Sequence, residues 1–356
     1  MVMQGLNTSI IGNAVEQNLI EINVINIRDF TKDRHKKVDD YPYGGGAGMV
    51  MQAQPIYDAW KSIVAQVGYE PRCVYLTPQG QVFAQGMAKE YAREEDLIFL
   101  CGHYEGVDER VLEEIVTDYV SIGDYVLTGG ELPALIVADA VARLQPGVLP
   151  NEDAYSIESH YNGLLEFPQY TRPEEWHGRR VPEVLLTGDH RTVTEWQNRE
   201  ALRVTARKRP DMYGKFISEQ HERLWSAFLE DKDIPPETRC SGVVRFGKTA
   251  DEADRLAKLV MRGKKRADLS VQSGELPWRG EYLIVTDGAG LGKCVVQVFN
   301  VKTVPFSGVT EEMCGFTAEC SSPDEWRAVQ EADISAETPV AFWQFRLVYK
   351  YHKEER

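Results

Sequence analysis

The chain has 356 residues, is 43% hydrophobic and carries a formal net charge of −15, a length that suits two or three domains rather than one. No run nears the roughly 20 consecutive apolar residues of a membrane helix, and no basic segment followed by an apolar one opens the chain as a secretion signal would, so a cytoplasmic protein with no membrane partner is expected. Cys73, Cys101, Cys240, Cys294, Cys314 and Cys320 form no C-x-x-C pair, which argues against a metal site or disulfide scaffold and for reduced, mostly buried thiols.

The acidic balance argues superficially against a nucleic-acid partner, but the distribution matters more than the sum. Residues 101–200 hold 19 acidic and 7 basic side chains, whereas residues 201–266 hold 10 and 16. A basic module tethered to an acidic one suits a phosphate backbone. An ordinary solvated helix surface fits the same counts.

In chain order, the apolar, β-branched runs Leu19–Ile27, Cys73–Leu76 and Leu97–Cys101 predict buried strands. Helical patterns at 54–67 and 85–94 lie between them, and this alternation indicates a parallel α/β sheet. A polar stretch from Asn151 to Pro173 reads as a linker. Helices are expected at 192–206 and 210–229, then a break at 231–240 containing Pro235 and Pro236. A helix at 250–261 and strands at 282–286, 293–304 and 340–350 predict a compact, mostly β domain at the C-terminus.

Glycines cluster where such a sheet would place ligand loops. Tyr43-Gly44-Gly45-Gly46-Ala47-Gly48-Met49 permits positive φ and close backbone approach. Three further loops follow: Tyr75-Leu76-Thr77-Pro78-Gln79-Gly80, Cys101-Gly102-His103-Tyr104-Glu105-Gly106, and Ser121-Ile122-Gly123-Asp124-Tyr125-Val126-Leu127-Thr128-Gly129-Gly130. None matches a dinucleotide fingerprint or a P-loop. By residue chemistry they suit an adenine-containing ligand held mainly by main chain.

Together these stretches, with R-D-F-T-K-D-R-H at 28–35, V-D-D-Y-P-Y-G-G-G-A-G-M at 38–49, S-I-G-D-Y-V-L-T-G-G-E-L-P-A at 121–134, P-G-V-L at 146–149 and P-Q-Y-T-R-P at 168–173, closely resemble the bacterial tRNA (guanine-N1)-methyltransferases of the SPOUT class. The resemblance runs over roughly residues 3–229. It implies a SPOUT-type trefoil-knotted parallel sheet at 1–160, a linker and helical tRNA-binding domain at 161–229, a homodimer with each active site completed across the interface, and S-adenosylmethionine as cofactor, with Mg2+ in support. The implied product is 1-methylguanosine immediately 3′ of the tRNA anticodon. Cofactor binding falls on Tyr75, Leu76, Pro78, Gly102, Tyr104, Glu105, Ile122, Gly123, Asp124, Tyr125, Val126, Leu127, Gly129, Gly130 and Pro133.

Guanine N1 carries a proton, so attack on a sulfonium methyl needs a carboxylate base and a cation near the base's O6. The family's arginine matches Arg143. Its aspartate base corresponds, counting back from G-L-L-E at 163–166, to Glu158; Asp153 and His160 are lesser candidates. The family's opening strand would precede Met1, and a start about a dozen residues upstream is expected, against the alternative of a truncation. Substrate contacts fall on Arg28, Asp33, Arg34, His35, Asp39, the glycines Gly44, Gly45, Gly46 and Gly48, and, for phosphates, Arg203, Arg207, Lys208, Arg209 and Lys215.

After a linker at 230–242, residues 243–356 resemble the ASCH domain, a small β-barrel related to PUA domains, through G-K-K-R-A-D-L-S at 263–270, L-P-W-R-G-E-Y-L-I-V-T-D-G at 276–288, V-P-F-S-G-V-T-E-E at 304–312 and D-E-W-R at 324–327. Lys265 matches a family lysine, and accessory RNA binding is implied. Trp278 and Phe306 are candidates to stack on bases or to fill the core. Asp268 stands where hydrolytic members carry threonine, which weighs against a second, hydrolytic activity. A non-catalytic RNA-binding protein is the other alternative to an active methyltransferase.

Overall fold

The computed structural model describes residues 6, 8–46, 48–151, 155, 157–271, 276–330 and 334–351. They fall into two compact units, 1–162 and 163–356, each taken by itself.

In the first unit, α1 (Ser9–Glu16) buries Ile11 and Ala14. The run Leu19–Ile27, expected as a strand, is not one: it joins no ladder among the described residues and ends in a 3-10 turn at Ile27–Asp29. β-Branched side chains favour a pleated, half-buried surface, but a strand also needs a neighbour's backbone groups. Ile20 and Ile22 instead pack loosely on Leu6, Ile11 and Ala142, and Val24 and Ile25 stay exposed.

The short antiparallel pair β1 (Asp39–Asp40) and β2 (Val50–Met51) frames the glycine run. Helix α2 (Ala53–Val67) stops at Gly68, whose left-handed φ of +89° lets its N–H return to Val64 O. There follow β3 (Arg72–Val82), α3 (Gln85–Tyr91), β4 (Leu97–Cys101), α4 (Glu109–Ile115), β5 (Asp118–Ser121) and α5 (Glu131–Ala142). The three strands form a parallel sheet in the order β4-β3-β5. Cys73, Tyr75 and Leu100 pack with Met51, Ile56, Val111 and Leu112. Val74, Leu76 and Val120 pack with Ala88, Tyr91, Val137 and Val141. Strands covered on both faces explain the near-continuous apolar runs at 73–76 and 97–101. The predicted α/β sheet is therefore present, built on two of the three predicted strands and on β5.

The pairing of β3 with β5 skips: Leu76 and Gln81 both face Val120. Residues 77–80 thus bulge out of the ladder within β3, and the chain re-enters at Gln81. A Cβ on Gly80, just before the re-entry, would stand 2.3 Å from Val120 N, so a side chain would block the return.

In the second unit, the hairpin β6 (Glu175–Trp176) and β7 (Arg179–Arg180) precedes α6 (His190–Lys208), capped by the Asp189 carboxylate, and α7 (Pro210–Asp231), opened by proline at its first turn. Then come β8 (Gly242–Val244), α8 (Ala250–Met261), β9 (Ala267–Val271), β10 (Tyr282–Thr286), β11 (Gly292–Pro305), α9 (Glu311–Thr317), α10 (Pro323–Ala328) and β12 (Pro339–Lys350). Thr249 and Glu252 close a reciprocal capping box on α8. The five strands order as β8-β10-β11-β12-β9, antiparallel except for β8 with β10. Leu224, Phe228 and Leu229 of α7 share a core with Ile284 and Val295, so α7 and the sheet are one packed body. All six cysteines are free thiols, four of them buried. No described helix is long and apolar enough to cross a membrane.

Candidate active site

The bulge 77–80 within β3 follows its first paired stretch, 72–76, and loops 102–108 and 122–130 leave the carboxyl ends of β4 and β5, which in a parallel sheet point one way. The second and third touch: Gly130 N donates to Gly102 O at 3.1 Å. A Cβ on Gly130 would lie 2.8 Å from Cys101 Cα, and one on Gly102 would lie 3.1 Å from the Tyr75 hydroxyl. Glycine at 130 brings main chain to main chain, and glycine at 102 leaves room for the Tyr75 side chain. Of the expected cofactor residues, Tyr75, Leu76, Gly130 and Pro133 are buried. Gly102, Ile122, Gly123 and Gly129 are half-buried, and Pro78, Tyr104, Glu105 and Asp124 to Leu127 are exposed. Tyr104 holds a left-handed φ of +60°, and Arg28 Nη2 donates to its hydroxyl at 3.1 Å.

These loops and the first residue of α5 carry four carboxylates, Glu105, Asp108, Asp124 and Glu131, and neither lysine nor arginine. Asp108 is engaged by Arg110, and Glu131 is bonded to His103. Carboxylates favour a cationic ligand. Closely spaced main chain at 102 and 130, with the exposed carboxylates of Glu105 and Asp124 on the same loops, fits both the adenine and the sulfonium of S-adenosylmethionine. Burial pushes the Cys101 thiol up to about 12, with Glu131 adding to it, so no thiolate competes there as a nucleophile.

The glycine run lies against the second loop. Glu105 N donates to Met49 O at 3.0 Å, Met51 N to Gly106 O at 2.9 Å and Asp108 N to Met51 O at 3.0 Å. Gly44, Gly45, Gly46 and Gly48 all have positive φ and are exposed; Ala47 lies outside the described residues. Asp39, in β1, pairs with Met51. Exposed backbone is thus presented beside loop 102–108.

Arg143 and Glu158, fifteen positions apart, meet in a bidentate pair of 2.7 and 3.0 Å. Each side chain is about one-third exposed. The Glu158 carboxylate raises the Arg143 guanidinium further above its ordinary range. The segment is also tied at Tyr161, whose N–H donates to Glu158 O at 3.3 Å. Lys89 of α3 bonds the Tyr161 carbonyl and sits 3.3 Å from the centre of its ring. Burial lowers the Lys89 pKa. Of the lesser base candidates, His160 is exposed and Asp153 lies outside the described residues. Arg143 follows α5, so about 20 Å of helix at 1.5 Å per residue separates it from Gly130.

In the second unit Arg203, Arg207 and Lys208 are exposed on the last turns of α6, as are Arg209 and Lys215 beyond it; Arg203 pairs with Glu200 at 3.2 Å. Lys265 is buried. Its ammonium donates to Ala267 O, Asp268 Oδ1 and Thr317 O at 3.1, 3.0 and 3.3 Å and also to Glu319 Oε1. So saturated a lysine is a strut first. Phe306 is core, stacked on Trp326, while Trp278 is exposed. Sequence reasoning missed the His103–Glu131 and Arg28–Tyr104 pairs, although all four residues lie in the quoted motifs. Lys89 carried no signal.

Residues 1–215 match the family described as tRNA (Guanine-1)-methyltransferase TrmD, and residues 242–349 match the ASCH domain. Among similar proteins, the tRNA (guanine-N(1)-)-methyltransferase of Lachnospira eligens is 54% identical over 224 residues, covering 63% of this chain and 95% of its own length. Those of Ruminiclostridium cellulolyticum and Clostridioides difficile are 56% and 54% identical over 210 and 211 residues, each covering 59% of this chain and 90% and 91% of their own lengths. With more than half of its length matched, the chain belongs to the tRNA (guanine-1)-methyltransferase family, and it carries an ASCH domain behind that region.

Proposed function

We propose that the chain methylates N1 of the guanine immediately 3′ of the tRNA anticodon, position 37, giving 1-methylguanosine. The juxtaposition of Arg143 and Glu158 carries this reading, because it supplies the cation and the carboxylate that the chemistry needs. When bound, S-adenosylmethionine supplies an electrophilic methyl group. The main chain of residues 75–78, 102–105 and 122–130, with Pro133, holds the adenosine part, and Glu105 and Asp124 balance the positive charge. Exposed backbone at Gly44, Gly45, Gly46 and Gly48, together with Asp39, receives the guanine, which must leave its stack to present N1. Glu158 accepts the N1 proton, and Arg143 stabilises the negative charge that then grows on O6. A glutamate in place of aspartate is one methylene longer, a difference that a linker can absorb.

Reacting atoms must come within about 3–3.5 Å, whereas the length of α5 separates the base from the cofactor loops of its own chain. That supports a homodimer in which one protomer's Arg143 and Glu158 serve the partner's cofactor site. Leu132 and Ile136, one turn apart on α5 and exposed together with Val126, suit such an interface. Magnesium support is proposed from the family; among the described residues no group of three or more His, Cys, Asp or Glu is placed to hold a metal, and no step is derived through it. The reaction belongs in the cytoplasm, where tRNA matures. Domain limits are proposed at 1–160, 161–229 and 243–356, with a linker at 230–242; Arg203, Arg207 and Lys208 position tRNA phosphates, and the ASCH domain, with the buried Lys265 as an internal strut rather than an RNA contact, serves accessory RNA binding.

The test uses two tRNA transcripts that differ only in guanine or adenine at position 37, with methyl-labelled cofactor. Label confined to the guanine transcript and mapped to position 37 supports the reading; equal label in both sinks it.

A further inference from the structure

Phe299 breaks the pattern of β11. In the β11–β12 ladder Val298 faces Phe345 and Asn300 faces Gln344, so Phe299 is the residue skipped at a bulge. A bulge re-aims a side chain, and here it leaves a phenylalanine 44% exposed directly after the buried Cys294, Val295, Val296 and Val298. The ring borders a cavity of about 440 Å³ that is also lined by Arg266, Phe316, Gln344 and Arg346. The guanidinium of Arg266 lies 5.0 Å over the Phe316 ring. Arg346 is braced by two bonds to Gln297 Oε1, at 3.1 and 2.6 Å. Gln344 accepts from Asn300 at 2.9 Å through its side-chain oxygen, which leaves its amide NH2 to donate. Arg266 and Arg346 form no ion pair with a carboxylate among the described residues. The size falls within the roughly 300–1,000 Å³ of small-ligand pockets.

Two aromatic rings, two guanidiniums without acidic partners among the described residues and an amide are the chemistry of a flat heteroaromatic ring joined to an anion. We propose that this cavity takes one unstacked nucleoside monophosphate unit, with Phe299 stacking on the base, Gln344 bonding its edge, and Arg266 and Arg346 holding the phosphate. The assignment deepens the reading of the C-terminal domain as an RNA-binding module, and rests on it. The same unit has two sources, a free nucleotide or a nucleotide within single-stranded RNA.

The experiment uses the full chain with saturating S-adenosylhomocysteine, so that the cofactor site is closed to adenine. Binding of a fluorescent tetraribonucleotide and of the four nucleoside 5′-monophosphates is measured for the parent chain, Phe299→Ala and Arg346→Gln. Both positions are exposed, and an unchanged melting profile checks that the variants fold. Each variant is expected to weaken binding about tenfold, in keeping with the loss of a base-stacking partner or a phosphate contact. Arg346→Gln should also lower the salt dependence. Tetranucleotide affinity at least tenfold above that of the monophosphates identifies RNA as the source; equal affinities identify the free nucleotide. Tetranucleotide binding that both variants leave within twofold overturns the cavity while RNA binding stands. No saturable binding of any probe overturns both.

Discussion

Arg143 grips Glu158 through both terminal guanidinium nitrogens, Nη1 and Nη2, at 2.7 and 3.0 Å, and so holds the candidate base by the same group that is to stabilise the base's product. The pair implies unequal variants. Arg143→Lys keeps charge but loses the planar two-point grip. It should lower kcat/KM for tRNA by at least about tenfold while leaving the affinity for S-adenosylmethionine within twofold. Steady-state kinetics beside a cofactor titration checks this; a proportional loss of cofactor affinity would place Arg143 in the cofactor site instead.

Much of this was legible in the sequence, for identifiable reasons. The helix at 250–261 carries its own start signal in Thr249 and Glu252, and the structure sets it at the same bounds. The strands 73–76 and 97–101 read correctly because burial on both faces makes them continuously apolar. Leu19–Ile27 has the same texture but no ladder partner among the described residues, and periodicity does not report partners. The roles of Arg143 and Glu158 came from resemblance, and their contact was not legible, since a separation of fifteen residues has no meaning in any helical or strand period. Phe299 was illegible because a bulge, not the pattern, decides which way it points.

Glycines at the loop crossings make a second prediction. Gly80→Ala forces a methyl against Val120 N and Tyr119 C, at 2.3 and 2.4 Å, where the obstacle is backbone. Overpacking of this kind costs about 1–3 kcal/mol. The variant should melt several degrees lower and lose cofactor affinity. By contrast, Gly86→Ala, with nothing within 4 Å of its added Cβ, should melt at or above the parent temperature. Equal behaviour of the two would remove the close-approach argument.

The sheet is also pinned by Arg72, whose Nε and Nη2 donate to Asp118 at 2.8 and 2.7 Å, with Glu90 and Glu94 beside it. The Arg72 hydrogen bonds hold the Asp118 carboxyl below its ordinary value. A carboxylate lowered in the folded state adds stability above its unfolded pKa, near 3.8, and this is lost as pH falls through the lower, folded value. Asp118→Asn should therefore destabilise the chain by roughly 1.5–3 kcal/mol at pH 7, with the gap closing below about pH 4. Denaturant melts from pH 3 to 7 measure this; a gap that is constant with pH contradicts it.

Burial pushes the thiols of Cys73, Cys101 and Cys294 up to about 12. At pH 8 these three should resist a thiol-exchange reagent in the folded chain and react within minutes once it is unfolded in guanidinium chloride. Mass mapping of the labelled cysteines decides. Rapid labelling of Cys101 in the folded chain would mean that the β4 end is open to solvent.

The central claim is that Glu158 removes the N1 proton. Single-turnover methyl transfer to a transcript with guanine at position 37 tests it most directly, comparing the parent chain with Glu158→Gln and Glu158→Asp. General-base catalysis contributes about 10²–10⁴-fold, so Glu158→Gln should be slower by at least a hundredfold, with tRNA and cofactor affinities kept. Glu158→Asp should retain most of the rate. A Glu158→Gln rate within a few-fold of the parent would contradict the account and hand the proton to another group.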